Sequence, residues 1–569
     1  MADFDVIVVG SGMSGGWVAK EMAERGFKVG VIERGRDTQP TKDYTDFVDP
    51  WDTPNLDWTS EKDREEYPIQ SEVYAFNQNT KHYWVKDKVH PYETPDGQNY
   101  KWRRGYHKGG RSLMWGRQSY RFSEIDFEAN KKDGVGVDWP LRYADIKPWY
   151  DYVEKFAGIS GSMEGLDILP DGVFQPPHDL TCAEVEFKKK VERVFPGRKV
   201  IPGRAANLTQ PTQEQIDLGR GKCQARSLCE RGCSYGAYFS SVAATLPAAE
   251  RTGNMTLIPD TAVHSVIHDS ETGRLTGVKT LNVKTNEAGI LTARVIFLNA
   301  GTIPTSMILL NSATPDQPNG MANSSGQLGR NLMDHVAGAR GYGIMPGFED
   351  KYHYGRRPNG FYIPRFRNHT ESGEDYLRGY GYQGRIFRGN WRGSARGAGV
   401  GAAFKTQNRT PGPWIMGMVA FGEILPDERN RITLHPTRTD KWGFPVPIID
   451  QKHRENEVKL MKQATRDTRA MLEAAGLVDI ETDNPDDIAA ENMSPPGNGI
   501  HEMGTARMGR DPRTSVLNKW NQSWDIPNLF ITDGSFMTSA GCQNPSLGYM
   551  AFSARAADHA AKLMQEGVI

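Results

Sequence analysis

The fold class follows from one short stretch, Asp5-Val6-Ile7-Val8-Val9-Gly10-Ser11-Gly12-Met13-Ser14-Gly15. Its β-branched apolar residues are typical of a buried strand, the glycines form a turn, and residues 17–25 have apolar side chains at helical spacing. Gly10 permits the tight turn, Gly12 lets the backbone approach a pyrophosphate, and Gly15 allows the helix to pack on the strand. The first amides of the helix then face the phosphates. The stretch predicts a dinucleotide-binding strand, turn and helix.

A second strand supports this interpretation. Lys28-Val29-Gly30-Val31-Ile32 ends at Glu33, about 20 residues after the glycines, where a carboxylate accepts hydrogen bonds from ribose hydroxyls. A glycine turn without a ligand is the alternative, and the combination of strand, turn, helix and acid argues against it. Because FAD and NAD both use this motif, it leaves the choice between them open.

Composition bounds the rest of the chain. Its 569 residues exceed the roughly 100 to 200 of a typical domain, so we expect two or more packed units. The 69 Lys and Arg nearly balance the 70 Asp and Glu, so nothing in the charge favours a nucleic-acid partner. Mean hydropathy is −0.60, and no apolar run approaches the roughly 20 residues of a membrane span, so we expect no direct membrane span. Residues 4–10 already have a strand pattern, so we also expect no signal peptide of the chain's own.

Three later motifs extend the pattern. Paired glycines in Lys108-Gly109-Gly110-Arg111-Ser112-Leu113-Met114-Trp115-Gly116 allow close approach to a planar or phosphorylated ligand, although a plain loop has the same composition. Residues 295–305 predict a buried strand that breaks into a helix, with Pro304 near the helix start. Near its end the chain returns to the nucleotide-binding unit, through residues 501–509, a strand at 528–534 and a final helix that runs to Met564.

In this order, and with Asp138-Trp139-Pro140 and Gly329-Arg330-Asn331-Leu332-Met333-Asp334-His335, the motifs resemble those of the glucose-methanol-choline (GMC) family of flavin-dependent oxidoreductases. The resemblance runs from Asp3 nearly to the C-terminus. It implies FAD rather than NAD, and an α/β fold with mixed α+β character. In that fold a Rossmann-like FAD-binding domain is interleaved with a substrate domain built on an antiparallel sheet. We predict FAD-binding segments at 1–40, 95–125, 220–335 and 495–569, substrate-binding segments at 126–219 and 336–494, and a lid or subunit-contact loop at 41–94.

The resemblance also implies the cofactor contacts. The predicted FAD-binding residues are Gly10, Ser11, Gly12, Met13, Ser14, Gly15, Glu33, Arg34, Gly109, Gly110, Ser112, Trp115, Val263, Asp533, Gly534, Asn544 and Pro545. Some family members tether FAD covalently through a histidine whose position corresponds to Met114 here. A thioether cannot form that linkage, so we predict non-covalent FAD.

In the GMC family a histidine and a following His or Asn face the reactive side of the flavin, and the matching residues here are His501 and Asn544. Alcohol oxidation needs a base for the hydroxyl proton while the flavin N5 accepts the hydride. Histidine has an ordinary pKa of about 6.5, which suits that role, and an Asn amide can hold the substrate oxygen. Other histidines, including His107 and His335, are interpreted as structural.

Three of the five cysteines cluster, at Cys223, Cys229 and Cys233, within residues 221–237. Zinc would need a distant fourth ligand, and a disulfide or free buried thiols is the plain alternative. Three thiolates with small residues between them suit an iron–sulfur cluster lacking one corner iron. The spacing resembles the 3Fe-4S segment of the FAD subunits of bacterial membrane-linked sugar dehydrogenases, which favours a 3Fe-4S cluster held by these three cysteines.

That resemblance implies a dehydrogenase with an external electron acceptor. Such relatives work with a small subunit that often carries an export signal, and sometimes with a c-type cytochrome. The expected compartment is the periplasm, reached by co-export with the small subunit, or the cytoplasm. An oxygen-dependent sugar oxidase remains an alternative, as does a catalytically silent flavin or Fe-S scaffold subunit.

The predicted substrate is a sugar. Residues 352–367 and 380–387 are rich in aromatic, amide and Arg side chains, which stack on and hydrogen-bond polyols, although the same alternation is typical of a half-buried strand. Overall similarity favours glucoside 3-dehydrogenases, which oxidise the C3 hydroxyl of glucosides and disaccharides to 3-keto sugars. Glucose- and gluconate-type dehydrogenases share the same motifs and remain the alternative.

Overall fold

The computed structural model describes residues 2–353, 358–373, 375–389, 400–409 and 411–569. The strands in these ranges are β1 (Phe4–Val9), β2 (Val29–Ile32), β3 (Ile201–Pro202), β4 (Met255–Ile258), β5 (Thr261–Asp269), β6 (Arg274–Asn282), β7 (Ala288–Leu298), β8 (His335–Met345), β9 (Phe361–Ile363), β10 (Tyr380–Arg388), β11 (Trp414–Glu423), β12 (Arg431–Thr439), β13 (Pro445–Asp450), β14 (Val478–Thr482) and β15 (Leu529–Ile531). The α-helices are α1 (Met13–Glu24), α2 (Pro40–Asp43), α3 (Glu61–Glu66), α4 (Glu124–Asp133), α5 (Tyr143–Ala157), α6 (Cys182–Val194), α7 (Gln213–Asp217), α8 (Thr245–Arg251), α9 (Thr302–Leu310), α10 (Gly401–Arg409), α11 (Glu455–Ala474) and α12 (Ser546–Gln565).

A seven-stranded mixed sheet forms the nucleotide-binding half, in the order β4-β2-β1-β7-β6-β5 with β15 also paired to β7. Strands β4, β2, β1, β7 and β15 pair in parallel, whereas β5, β6 and the first half of β7 pair antiparallel. Val9 is in register with Ile32 and Leu298, and Leu298 with Ile531. Four parallel strands, β2, β1, β7 and β15, therefore end side by side, and the carboxyl ends of parallel strands are where such sheets bind ligands.

The predicted strand, turn and helix at the start of the chain are confirmed. Helix α1 is buried along most of its length, and it packs beside α8 and the last helix, α12. At Gly15 a Cβ atom would lie 1.8 Å from the carbonyl oxygen of Gly10. The sequence-based reason for a glycine here, close packing of helix on strand, thus holds.

A six-stranded antiparallel sheet, in the order β14-β8-β11-β10-β9-β3, forms the other half. Along β11 buried and half-buried residues alternate. Trp414, Met416 and Ala420 belong to the same apolar core as Leu460 and Ala464 of α11. Ile415, Val419 and Phe421 alternate with them and face a cavity between the two sheets. The expected mixed α/β class, with a separate antiparallel sheet, is confirmed, and the role of that sheet in binding substrate stays a prediction.

Within the described residues, no helix combines the length and the apolarity needed to cross a bilayer. The boundaries predicted for the individual domain segments stay predictions.

Candidate active site

A cavity of about 1020 Å³ lies between the carboxyl ends of the parallel strands and the antiparallel sheet. The nucleotide-binding sheet contributes Val9, Gly10 and Asn299 to its wall, and the antiparallel sheet contributes Ile415 and Phe421. Both halves of the molecule therefore build one site.

The turn after β1 closes one end of this cavity. Glu33 accepts hydrogen bonds from the Ser11 hydroxyl at 2.5 Å and from the Gly35 amide at 2.8 Å. Burial raises the pKa of Glu33, and these hydrogen bonds oppose the shift. The carboxylate is thus fixed beside the glycine turn, where the sequence motif predicts the ribose contact.

Most predicted cofactor residues share this cavity. Those that line it are Gly10, Ser11, Gly12, Met13, Ser14, Glu33, Arg34, Gly110, Ser112, Trp115, Val263, Asp533, Gly534, Asn544 and Pro545. Gly15 lies behind the wall in α1, and the Gly109 amide donates to the Ser11 hydroxyl at 3.0 Å. The structure brings this set together, while its contacts with a cofactor stay a prediction.

Hydrogen bonds determine the tautomer of His501 at the other end of the cavity. His335 Nε2 lies 2.9 Å from the carbonyl oxygen of Gly541, so Nε2 carries the hydrogen. Burial lowers the pKa of His335 to about 4, so its Nδ1 is an acceptor at neutral pH. His501 Nδ1, 2.8 Å away, then donates to it, which leaves the lone pair on His501 Nε2.

The surroundings keep His501 neutral. Burial, His335 and Arg111 lower its pKa well below the ordinary value of about 6.5. Its backbone amide donates to Asp334 Oδ1 at 2.9 Å, and the amide of His335 donates to the same oxygen at 2.7 Å. Burial and the neighbouring Glu502 raise the pKa of Asp334 to about 7. Asp334 therefore fixes the backbone of both histidines.

Asn544 is held between the two sheets. Its Nδ2 donates to His501 Nε2 at 3.2 Å, and its Oδ1 accepts from Gln383 Nε2 of β10 at 2.6 Å. The predicted pair, His501 and Asn544, is thus in direct contact and lines the cavity. A base lone pair and an amide donor meet at one point of the cavity, which is the arrangement needed to bind and deprotonate a hydroxyl group.

Sequence comparison identifies the family. The GMC oxidoreductase models match residues 4–337 and 426–553. The chain belongs to the GMC oxidoreductase family. It is 28% identical to 2-methyl-1,2-propanediol dehydrogenase of Mycolicibacterium austroafricanum, over 98% of this chain and 94% of that protein. It is 27% identical to the fructose dehydrogenase large subunit of Gluconobacter japonicus, over 99% of this chain and 98% of that protein. Pyridoxine 4-oxidase from Mesorbium loti shares the fold, with a TM-score of 0.62, 16% identity and 98% of each chain covered.

Membership confirms that this GMC oxidoreductase is an enzyme, and it supports FAD as the cofactor.

The cysteine segment of this GMC oxidoreductase does not form a metal-ready site. Cys223, Cys229 and Cys233 are partly buried free thiols, and burial raises the pKa of Cys229 to about 11. Within the described ranges, no group of three or more His, Cys, Asp or Glu side chains is arranged to hold a metal ion. The expected 3Fe-4S ligation is therefore not supported by this arrangement of the loop.

The predicted sugar-binding stretches divide between cavity and core. Asn359, Gln383, Arg385 and Phe387 line the cavity, whereas Tyr362, Phe366, Tyr380 and Tyr382 are buried in the sheet core. Residues 354–357 of the first stretch lie outside the described residues. The interpretation as a half-buried strand holds for the core residues, while sugar contact by the lining residues stays a prediction.

Four residues of the site were not predicted. His335 was interpreted as structural, and Gln383 as part of a stretch without an individual role. Arg111 and the buried Glu502 form an ion pair at 2.6 Å beside His501. Glu502 directly follows the predicted catalytic residue His501 in the sequence, and this proximity could have indicated its role. Gln383 has no such neighbour in the sequence.

Proposed function

We propose that this GMC oxidoreductase is an FAD-dependent sugar dehydrogenase that oxidises the C3 hydroxyl of glucosides or disaccharides to a 3-keto sugar. The observation that carries the proposal is the lone pair of His501 Nε2, which is directed at Asn544 inside the cavity that also contains the predicted nucleotide residues. The fructose dehydrogenase relative supports a sugar as the substrate class.

The residues present fit FAD. A Cβ atom at Gly12 would meet only the Gly109 carbonyl oxygen, at 3.9 Å, so the turn leaves room for a pyrophosphate. Gly10 to Ser14 would hold the phosphates, Glu33 the ribose, and Trp115 with Asn544 and Pro545 the flavin end. When bound, FAD supplies the hydride acceptor.

The side chains of this protein would then supply binding and proton transfer. The Asn544 amide binds the substrate oxygen, in place of its present contact with His501. His501 Nε2 accepts the hydroxyl proton because His335 keeps its Nδ1 hydrogen-bonded as a donor. His501 is only partly exposed, which limits the access of bulk water to this transfer.

The cavity wall supports a polyhydroxylated substrate. Arg340, Tyr342, Asn359 and Arg385 provide polar groups, and Phe387 and Phe421 provide aromatic faces. Such a mixture hydrogen-bonds hydroxyl groups and stacks on the apolar face of a pyranose. The pattern does not distinguish C3 oxidation from oxidation at the anomeric carbon, so the product decides between them.

We also propose a protein electron acceptor, with a small subunit and a c-type cytochrome as partners, and a 3Fe-4S cluster on Cys223, Cys229 and Cys233. The cluster would require the loop to bring the thiols closer together than the present arrangement, so no step is assigned to it. Iron and acid-labile sulfide in the protein, lost in Cys223→Ser, would support it. The compartment is the periplasm, through co-export with the small subunit, or the cytoplasm.

The test is anaerobic reduction of the bound flavin by methyl glucosides and by glucose, followed by product analysis. We expect flavin bleaching with methyl glucosides and a 3-keto product. A lactone from glucose, with no reaction of methyl glucosides, would instead support the glucose-type alternative. Peroxide in equal amount to product in air would support an oxidase, and failure of every sugar to bleach the flavin would support a silent subunit.

The variant His501→Ala tests the proposed proton acceptor. We expect it to keep FAD and to lower kcat by a factor of about 10² to 10⁴, because the proton acceptor is lost. The flavin spectrum checks cofactor retention, and steady-state turnover with an artificial dye measures kcat. Unchanged turnover would contradict the role of His501.

A further inference from the structure

Five large apolar side chains, here called the apolar patch, are exposed within residues 47–58 and at Tyr235, whose ring lies 6.0 Å from that of Phe47. Their exposed fractions are 65% for Phe47, 72% for Trp51, 66% for Leu56, 54% for Trp58 and 38% for Tyr235. Isolated exposed apolar residues are normal, but an exposed group of this size, rich in tryptophan, is typical of a binding surface.

The patch is built on the cysteine segment. Arg226 forms an ion pair with Asp46, and its guanidinium lies over the rings of Phe47 at 4.6 Å and Tyr235 at 4.8 Å. Ser234 also donates to Asp46, at 2.6 Å. The loop that carries the patch is thus attached directly to the segment that contains the three thiols.

The same segment fixes the far end of the loop. Arg231 donates to the carbonyl oxygen of Val48 at 3.3 Å and lies 3.6 Å from the carboxylate of Asp57. Asn55, Leu56 and Asp57 have φ values of 53°, 49° and 70°, a left-handed conformation that residues other than glycine disfavour. This turn presents Leu56 to solvent, and strained turns of this kind often occur at functional surfaces.

The cysteine segment also forms part of the wall of the active-site cavity. Glu230 lines the cavity and forms an ion pair with Arg117, another lining residue, at 3.7 Å. A protein bound to the apolar patch would therefore be separated from the cavity by this segment.

The charge around the patch indicates the kind of partner. Between Lys42 and Lys62 the sequence has six acidic residues and no Lys or Arg, and three of the six, Asp43, Asp46 and Asp57, pair with arginines elsewhere in the chain. Asp49 and Asp52 are exposed beside Trp51. Two copies of this chain meeting through the patch would place acids against acids, whereas a partner with a basic rim would be attracted.

We propose that the apolar patch is the docking surface of a separate one-electron acceptor protein, whose apolar contact face is ringed by lysine and arginine. The inference rests on the proposed dehydrogenase function and adds the place and chemistry of the partner. Oxidation of one alcohol to a ketone releases two electrons and two protons. Two molecules of a basic haem protein would each take one electron, from Fe(III) to Fe(II), and the protons pass to solvent.

The experiment uses mitochondrial cytochrome c, a basic haem protein, as the probe, and the FAD-loaded full chain immobilised for surface plasmon resonance. We expect salt-sensitive binding that weakens at least about tenfold in the charge reversal Asp49→Lys/Asp52→Lys, and also in Trp51→Ser. Reduction of a small uncharged dye by the substrate should remain unchanged in both. The controls are Glu271→Lys/Glu287→Lys and Ile290→Ser, exposed positions of the nucleotide-binding sheet away from the patch.

Two results would overturn the proposal. One is that cytochrome c does not bind, or that it binds wild type and both patch variants equally. The other is a wild-type dimer in sedimentation that Trp51→Ser dissociates, because a second copy would then cover the patch. The binding assay does not depend on turnover, so the two proposals are tested separately. A chain that oxidises no alcohol with the dye would refute the proposed function, and the binding results alone would decide the docking surface.

Discussion

His335 determines how His501 can act, although the two residues are far apart in the sequence. It accepts a hydrogen bond from His501 Nδ1 at 2.8 Å, while its own Nε2 donates to Gly541. A neutral His501 without this acceptor is free to move its hydrogen to Nε2, the position where the proposed mechanism needs a lone pair. His335 is therefore a positioning residue.

We expect His335→Ala to lower kcat by roughly tenfold to a hundredfold, with a much smaller change in KM, because a wrong tautomer impairs proton transfer more than binding. The pH profile of kcat/KM should change as well, since His335 is one of the groups that lower the pKa of His501. His453→Ala is the matched control, because His453 is also buried and its Nε2 donates to the Ser494 carbonyl oxygen at 3.0 Å. Equal losses of kcat in both variants would show a general packing effect.

Asp334 gives the site a pH-dependent stability. Its folded pKa of about 7 lies above the ordinary value near 3.9, so the native state retains a proton that the unfolded chain has lost between these values. The free energy of unfolding contributed by this group therefore falls as pH rises from about 4 to about 7, and it is constant above that.

We expect the Tm of Asp334→Asn, relative to that of wild type, to rise from pH 4 to pH 7 and to stay constant above pH 7. Thermal melts across this range measure it. The amide also changes the contact with the Gly499 backbone N–H, which adds a pH-independent offset. A Tm difference that stays constant with pH would contradict the raised pKa.

At the scale of single residues, the sequence could predict the parts of the site that have local signals. The glycines around Gly12 follow a strand, and Glu33 ends the next one, so both could be placed without coordinates. Gln383 could not, because nothing around it in β10 shows that the strand passes beside Asn544. Only the pairing of β10 within the second sheet creates that contact.

At the scale of elements, the junction of β1 and α1 depends on close approach. The fold positions the first turn of α1 against the end of β1, and Gly15 is the contact. Because the obstructing atom is a backbone oxygen, a side chain at this position has to displace the helix rather than rotate away.

We expect Gly15→Ala to destabilise the protein by about 1 to 3 kcal/mol or more and to weaken FAD binding, since displacement moves the amides that face the phosphates. Gly16 is unsuitable as a control, because its Cβ would meet Thr245 at 2.4 Å. Gly26→Ala is the control for steric overlap, because nothing lies within 4 Å of an added Cβ at this position. Its φ of 86° adds some backbone strain, so the control includes that cost. Chemical denaturation and the fraction of bound flavin measure both effects, and wild-type values for Gly15→Ala would contradict the close packing.

Regular elements were more predictable than irregular ones. The last helix, expected to run to Met564, spans Ser546–Gln565, and the strand expected at 528–534 is β15. The cysteine segment contains only a short 3-10 turn at Cys229–Arg231. Spacing of cysteines along such a loop does not determine the distances between their sulfur atoms, so the cluster stays a proposal.

At the scale of the whole molecule, the cavity joins the two sheets, and the cofactor would fill the space between them. Met114 lines this cavity at the position where some relatives carry a tethering histidine. The residues predicted to hold FAD are widely separated in the sequence, from Gly10 to Pro545, so binding would stabilise the association of segments from both ends of the chain.

Non-covalent FAD gives the last prediction. We expect acid precipitation to release all flavin into the supernatant. We also expect the flavin-free chain to melt at a lower temperature than the FAD-loaded chain. Added FAD should raise this melting temperature, because it adds RT ln(1 + [FAD]/Kd) to the free energy of unfolding. At an FAD concentration about 100 times Kd, this corresponds to about 2.7 kcal/mol of added stability. Yellow flavin left in the protein pellet would contradict the dissociable cofactor. A melting temperature that does not respond to FAD would show that the FAD-binding segments hold their arrangement without it. The expected rise would make FAD a structural link between the start and the end of the chain, since the residues predicted to bind it come from both.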